Sequence, residues 1–207
     1  MTIYDLKKSF QNILRPISNR LAKCGVTANQ VTISALVLSC ACGSFIYLSN
    51  GSALSLLLLP VVLFVRMALN AIDGMLAREH NMASSLGAVL NELGDVISDS
   101  ALYLPFCAIA DISQSAVAIV VLLAVLSEMT GVIAIQIGAA RRYDGPMGKS
   151  DRAFVFSCLA LLLATGVIHN PWLNIVLWSM SLLLIATIVN RSRHALAEAA
   201  AKGKINF

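Results

Sequence analysis

Two stretches of the chain set acids, amides and an arginine among apolar residues at helical spacing. The first runs Arg66-Met-Ala-Leu-Asn70-Ala-Ile-Asp73-Gly74-Met-Leu-Ala77-Arg78, the second Gly87-Ala-Val-Leu-Asn91-Glu92-Leu-Gly94-Asp95-Val-Ile-Ser98-Asp99. Separations of three and four residues put side chains on one face of a helix. Arg66, Asn70, Asp73 and Ala77 therefore form one stripe, and Gly87, Asn91, Asp95 and Asp99 form another. Only the hairpin 78–84 separates the two segments, so the helices are antiparallel neighbours whose stripes can face each other. Oxygen donors of Asp and Asn suit a hard cation such as Mg²⁺. Gly74, Ala77 and Gly87 let a ligand approach the backbone closely, and Arg78 offers a planar donor to a phosphate. Metal-assisted phosphoryl transfer is the chemistry these residue types support. A cation pathway and a structural polar network draw on the same types.

The elements that must position these groups follow from composition. Apolar residues make up 58% of the chain and charged residues 13%, with a mean hydropathy of +0.80; a soluble domain averages about 25% charged. Lipid is the solvent such a chain is built for. The length allows one domain and no separate soluble catalytic module. The sequence predicts an all-α, polytopic membrane protein with six transmembrane helices, at 30–49, 53–77, 85–109, 115–140, 153–169 and 172–190. Each meets or approaches the roughly 20 apolar residues a bilayer requires. Residues 1–28 read as an amphipathic interfacial segment interrupted near Pro16, residues 29–190 as the six-helix domain, and residues 191–207 as a basic tail. No removable signal peptide is expected. Cys24, Cys40, Cys42, Cys107 and Cys158 lack metal-ligand spacing and read as small hydrophobes.

Every Lys and Arg except Arg66 falls before the first span, at the end of the second, between the fourth and fifth, or after the sixth. The positive-inside rule then puts both termini in the cytoplasm. It also accounts for the net charge of +4 without nucleic acid. Asp73 lies about 7–8 Å from Arg78 along the helix, at about 1.5 Å per residue, so the polar cluster sits in the cytoplasmic leaflet.

The segment DGMLAREHNMASSLGAVLNELGD resembles the signature of the CDP-alcohol phosphatidyltransferases, D-x2-D-G-x2-A-R-x8-G-x3-D-x3-D. Asp73, Gly74, Ala77, Arg78, Gly87 and Asp95 match at the required spacings, and the six-span reading extends the likeness over nearly the whole chain. The resemblance is nearest to an enterobacterial inner-membrane branch. It implies transfer of a phosphatidyl group from CDP-diacylglycerol to an alcohol or sugar-phosphate acceptor, with release of CMP. It implies a divalent cation, Mg²⁺ or Mn²⁺, one or two per chain, at Asn70, Asp73, Asn91 and Asp95, with Asp95 as general base. CDP would lie against Asp73, Gly74, Ala77, Arg78 and Gly87. Thr27-Ala28-Asn29-Gln30-Val31-Thr32 resembles the family's P-N-x-x-T start of span one, which adds Asn29 and Thr32 to the nucleotide site. A homodimer in the bacterial inner (cytoplasmic) membrane is implied as well.

Asn70 and Asn91 stand where the family has aspartate. The family's carboxylates, two divalent ions and a diphosphate leave a net charge of roughly −2; with two carboxylates fewer, one ion leaves roughly the same. Arg66 has two readings, as a charge facing this site or as a partner of Glu128 in the fourth span. For the acceptor, Arg141, Lys149 and Arg152 could hold a phosphate, whereas Ser127, Glu128 and Gln136 could shape a pocket for a neutral polyol or serine. Two other functions use the same residues: a catalytically retired lipid-binding membrane protein, and an ion-coupled carrier. The carrier lacks the broken helices and paired repeats expected of it.

Overall fold

The computed structural model describes residues 3–167 and 170–203. The chain is all-α, with no strand among the described residues. Among the described residues seven helices follow in order: α1 (Ile3–Lys23), α2 (Ala28–Leu48), α3 (Ala53–Glu79), α4 (Ser85–Tyr103), α5 (Gln114–Gln136), α6 (Lys149–Ala164) and α7 (Asn170–Ala201), with a 3₁₀ turn at Leu104–Ala108 after α4. They divide into two compact units. One comprises residues 1–43 and 61–102; the other comprises residues 44–60 and 103–207.

α2, α3, α5 and α7 are each long and apolar enough to cross a bilayer by themselves. The remaining two expected spans are different in kind. α4 carries Glu92, Asp95 and Asp99, and α6 has 16 residues. Apolar side chains on the outer faces, among them Val37, Leu122 and Leu182, are exposed and suit contact with lipid.

Several boundaries depart from the sequence expectation, each for a local reason. The expected break in α1 at Pro16 is absent: the helix runs through it. Pro16 is exposed, so the carbonyl that loses its helical partner can be solvated. Span three, expected to reach residue 109, ends as an α-helix at Tyr103, since Pro105 cannot donate to the helical ladder. α5 stops at Gln136, ahead of Gly138 in a left-handed conformation (φ 85°). α7 runs on to Ala201, so most of the expected tail is helix. His169, in the turn expected between spans five and six, lies outside the described residues, as does Lys204 of the tail.

In the first unit Leu14 of α1, Ala28 and Val31 of α2, and Ile72, Met75 and Leu76 of α3 form a buried core. α1 is fastened to the end of α3 by Arg15, which donates to both carboxylate oxygens of Glu79 at 3.1 and 3.2 Å. Ile13 and Ile17 stay exposed on its outer face, as an interfacial helix requires. α2 begins with a reciprocal cap. Thr27 Oγ1 accepts from the Gln30 amide at 3.3 Å, and Gln30 Oε1 accepts from the Thr27 amide at 2.9 Å. α4 is capped by the preceding Ser84, whose Oγ accepts from the Gly87 amide at 3.0 Å. The first cap fixes where α2 starts, and the second fixes where the polar stripe of α4 starts.

In the second unit α5 packs along α7. The buried stripe of α5 includes the small residues Ala116, Ala124, Gly131 and Ala134. Inside lipid, where burial of apolar area drives little association, such residues permit close van der Waals packing. A Cβ on Gly131 would stand 2.6 Å from the Arg142 carbonyl, so the loop after α5 needs glycine there. Tyr103 stacks on Phe156 of α6 at 4.0 Å between ring centroids.

Candidate active site

The two stripes meet within the first unit. On α3, Asp73 is 5% exposed, and its Oδ2 accepts a hydrogen bond from Thr32 Oγ1 of α2 at 2.8 Å. One turn earlier, Asn70 Nδ2 donates to Asp95 Oδ1 of α4 at 2.9 Å. One turn earlier again, Arg66 donates through Nη1 to Asp99 Oδ1 at 2.5 Å and through Nη2 to the Asp95 carbonyl at 3.1 Å. The same Nη2 lies 3.5 Å from Asp95 Oδ1. Of the two readings of Arg66, the structure thus shows the one that faces the carboxylates. Asp99 is 5% exposed and Arg66 3%, so this pair replaces water for both ions.

The expected nucleotide residues come together on three helices. Asn29 Oδ1 of α2 lies 2.8 Å from where a Cβ on Gly87 of α4 would stand, so the two residues are in direct apposition. Arg78, exposed at the end of α3, lies back over Gly74: a Cβ there would be 2.9 Å from its Nη2. Thr32 Cγ2 is 3.6 Å from the equivalent point on Gly94. Ala77 packs on the core of the unit. Asn91 is half-buried one turn before Asp95. Asp73, Asn70 and Asp95, with Asn29, Thr32, Gly74, Arg78 and Gly87, therefore surround one polar region built from α2, α3 and α4. Sequence reasoning placed Thr32 near the nucleotide but missed its bond to Asp73, because no spacing along the chain links α2 to α3.

Arg141, Lys149 and Arg152 lie in the second unit, and Arg141 and Arg152 reach Glu128. Arg152, fully buried in the first turn of α6, donates through Nη2 to Glu128 Oε1 at 3.0 Å and through Nη1 to Ser127 Oγ at 3.4 Å. Arg141 Nη2 is 3.8 Å from Glu128 Oε2, and its guanidinium lies over the Tyr143 ring at 4.8 Å. Arg191 of α7, read from the sequence as tail, is 1% exposed. Its Nη1 donates to the Ser127 carbonyl at 2.5 Å and lies 3.6 Å from Glu128 Oε1. Three guanidiniums thus surround one carboxylate. Lys149 is half-buried at the start of α6.

The loop that carries Arg141 is pinned to α7. Arg142 bridges Asp144 and Glu198 at 2.9 Å each. His194 Nδ1 is 2.6 Å from Asp144 Oδ2, and the Met147 amide donates to Thr187 Oγ1 at 3.0 Å. Partial burial pushes the Asp144 carboxyl up, but the His194 bond, backbone donation and the Arg142 charge together hold it below the usual carboxylate range.

Residues 25–189 match the family model for CDP-alcohol phosphatidyltransferases. The chain is 48% identical over 199 residues to the inner membrane protein YnbA of Escherichia coli (strain K12), covering 95% of this chain and 97% of that one. Its fold is that of the phosphatidylinositol phosphate synthase of Mycobacterium tuberculosis. In complex with manganese and citrate, that enzyme superposes with a TM-score of 0.77 at 22% identity, over 94% of this chain and 92% of the other. With CDP-DAG bound, it gives 0.77 at 22% identity over 95% and 98%. The family match covers α2 to α6 and most of α7, and the chain belongs to the CDP-alcohol phosphatidyltransferase family.

Proposed function

We propose that the protein transfers the phosphatidyl group of CDP-diacylglycerol to an alcohol in phospholipid biosynthesis, releasing CMP. The observation that carries this reading is the convergence of the signature residues Asp73, Gly74, Arg78, Gly87 and Asp95 with Asn29 and Thr32 in one polar region. The acceptor hydroxyl attacks the lipid-side phosphorus, and its P–O bond forms as the bond to the CMP oxygen breaks. Asp95 takes the hydroxyl proton, a role worth about a hundredfold or more in rate. Its Oδ1 is held by Asn70 and Arg66, so the carboxylate is aimed before substrate arrives. Arg78 and the Asn29 amide receive the diphosphate and nucleotide where Gly74 and Gly87 leave room.

The donor set fits one divalent ion. Asp73 and Asp95 supply two carboxylates, with amide oxygens of Asn70 and Asn91 in reach of the same region, and Mg²⁺ commonly takes one or two carboxylates plus substrate phosphates. Such an ion, Mg²⁺ or Mn²⁺, supplies positive charge to the diphosphate and the departing CMP. Among the described residues no group of three or more His, Cys, Asp or Glu is assembled that could hold a metal.

For the acceptor, the excess of cationic charge around Glu128 favours an anionic group, such as a sugar or glycerol phosphate, recognised by Arg141, Lys149 and Arg152 with Arg191. Both termini face the cytoplasm in this reading, and family membership supports a homodimer. Incubating the purified chain with CDP-diacylglycerol and a panel of alcohols and sugar phosphates, and following CMP release, tests it. Release with a phosphorylated acceptor is expected. Lipid binding with no CMP released from any acceptor would instead favour a retired enzyme, and cation flux through proteoliposomes a carrier.

A further inference from the structure

Arg66 is an arginine in the apolar body of a membrane-spanning helix, where a charged side chain is costly and marks function. A structural role alone would be met by its pair with Asp99. The geometry goes further. The second arm of the guanidinium reaches past Asp99 to the backbone and side chain of Asp95. Asn70, one turn along the same stripe, donates to the same Asp95 oxygen. A fixed cation and an amide donor from α3 thus converge on Oδ1 of the proposed base. A divalent ion bound between Asp95 and Asp99 would have to stand where the guanidinium is.

We propose that Arg66 is a built-in cation of the site: a positioning residue that holds Asp95 and supplies beside it the positive charge a second divalent ion would otherwise bring, so that the chain works with one. This rests on the reaction proposed above. Arg66 with Asp99 is neutral as a pair, so the charge balance stays that of Asp73, Asp95, one ion and the diphosphate, roughly −2. Asn70 completes the arrangement, since an aspartate there would set a second carboxylate against Asp95 with no added cation to separate them.

The test counts ions. Purified protein in nanodiscs containing CDP-diacylglycerol is titrated with Mn²⁺, and free Mn²⁺ is read by electron paramagnetic resonance. One Mn²⁺ per wild-type chain is expected. Arg66→Gln leaves Asp95 and Asp99, one turn apart on α4, without the guanidinium and should bind two, while Arg66→Lys, which keeps a cation, should return the count to one. Two ions in the wild type, or an unchanged count in Arg66→Gln, would overturn the proposal. Should Arg66→Gln fail to fold, Arg66→Met combined with Asp99→Asn removes both charges and leaves no ion unpaired in the span. That variant should keep one Mn²⁺ and lose at least tenfold in kcat with the KM for CDP-diacylglycerol unchanged; wild-type kcat would refute the positioning role. The two readings fail separately. Two ions in an active wild type removes the inference and leaves the reaction, whereas no CMP release at any Mn²⁺ concentration removes the reaction.

Discussion

Gly87→Ala adds one methyl group where α4 faces α2, and the structure leaves no room for it. The new carbon would stand 2.8 Å from Asn29 Oδ1 and 3.1 Å from Ser84 Oγ. Asn29 must withdraw by roughly half an ångström or more to reach ordinary contact, near 3.5 Å. If its amide holds the nucleotide, that hydrogen bond to a charged ligand is lost, about 1.5–3 kcal/mol, or roughly a tenfold to hundredfold fall in kcat/KM. Stability should hardly change. Alanine gains up to about 1 kcal/mol over glycine in a helix, which offsets a strained Ser84 cap worth about 1 kcal/mol. Gly94→Ala is the control: it lies on the same helix, offers the same propensity gain, and meets only Thr32 Cγ2 at 3.6 Å. The assay is CMP release against CDP-diacylglycerol concentration for both variants, with thermal unfolding measured in the same detergent. Wild-type kcat/KM in a Gly87→Ala protein of wild-type stability would show that Asn29 does not touch the nucleotide.

Other perturbations separate the remaining roles. Asp73→Asn and Asp95→Asn should each lower transfer by about a hundredfold or more; Asp111→Asn, in an exposed left-handed turn that asparagine tolerates, should leave it near wild type. Equal CMP release from Asp95→Asn and wild type would remove the base. Glu128→Gln removes the carboxylate that three guanidiniums share and should cost about 3–5 kcal/mol, visible as a lower thermal transition without any substrate; an unchanged transition would show that their other partners, water or lipid compensate them. Orientation is read by labelling a single cysteine at Ser52 in a chain stripped of its native cysteines. Gly51 is the worse probe, because a Cβ there would be 2.5 Å from Ile109, and labelling of Ser52→Cys only from the cytoplasmic side would invert the topology. The Asp144 carboxyl is held below its ordinary value of 3.8, so its stabilising effect is present above that pH and disappears as pH falls through the lowered value. The difference in thermal stability between wild type and Asp144→Asn should therefore shrink as pH falls below about 4.

What could be read in the sequence was local. The stripes Arg66–Asn70–Asp73 and Asn91–Asp95–Asp99 follow from helical periodicity, and a short hairpin makes their helices neighbours; the hydrogen bonds between Asn70 and Asp95 and between Arg66 and Asp99 realise that geometry. The cluster around Glu128 was not legible in this way. Its members come from α5, α6, α7 and the loop after α5, so no spacing along the chain links Arg141, Arg152 and Arg191. Arg191 looked like tail because cationic residues after a last span are what orientation alone demands. The helix in fact carries it inward, where it reaches Ser127 and Glu128.

The same physics explains why α4 falls short as a span yet belongs to the membrane domain. Window hydropathy treats each carboxylate as if it met lipid alone. In the structure Asp95 and Asp99 meet Arg66 and Asn70 of α3, which carry donors at matching heights on the facing stripe. Each helix thereby removes the other's cost, and neither polar stripe would be tolerable in lipid without its partner. Fold and site are consequently one construction. The residues that let α4 sit in the bilayer are those that aim the proposed base, so a substitution at Arg66 or Asn70 bears on insertion and on chemistry together. Paired variants that remove both charges, in place of single ones, are what can tell the two effects apart.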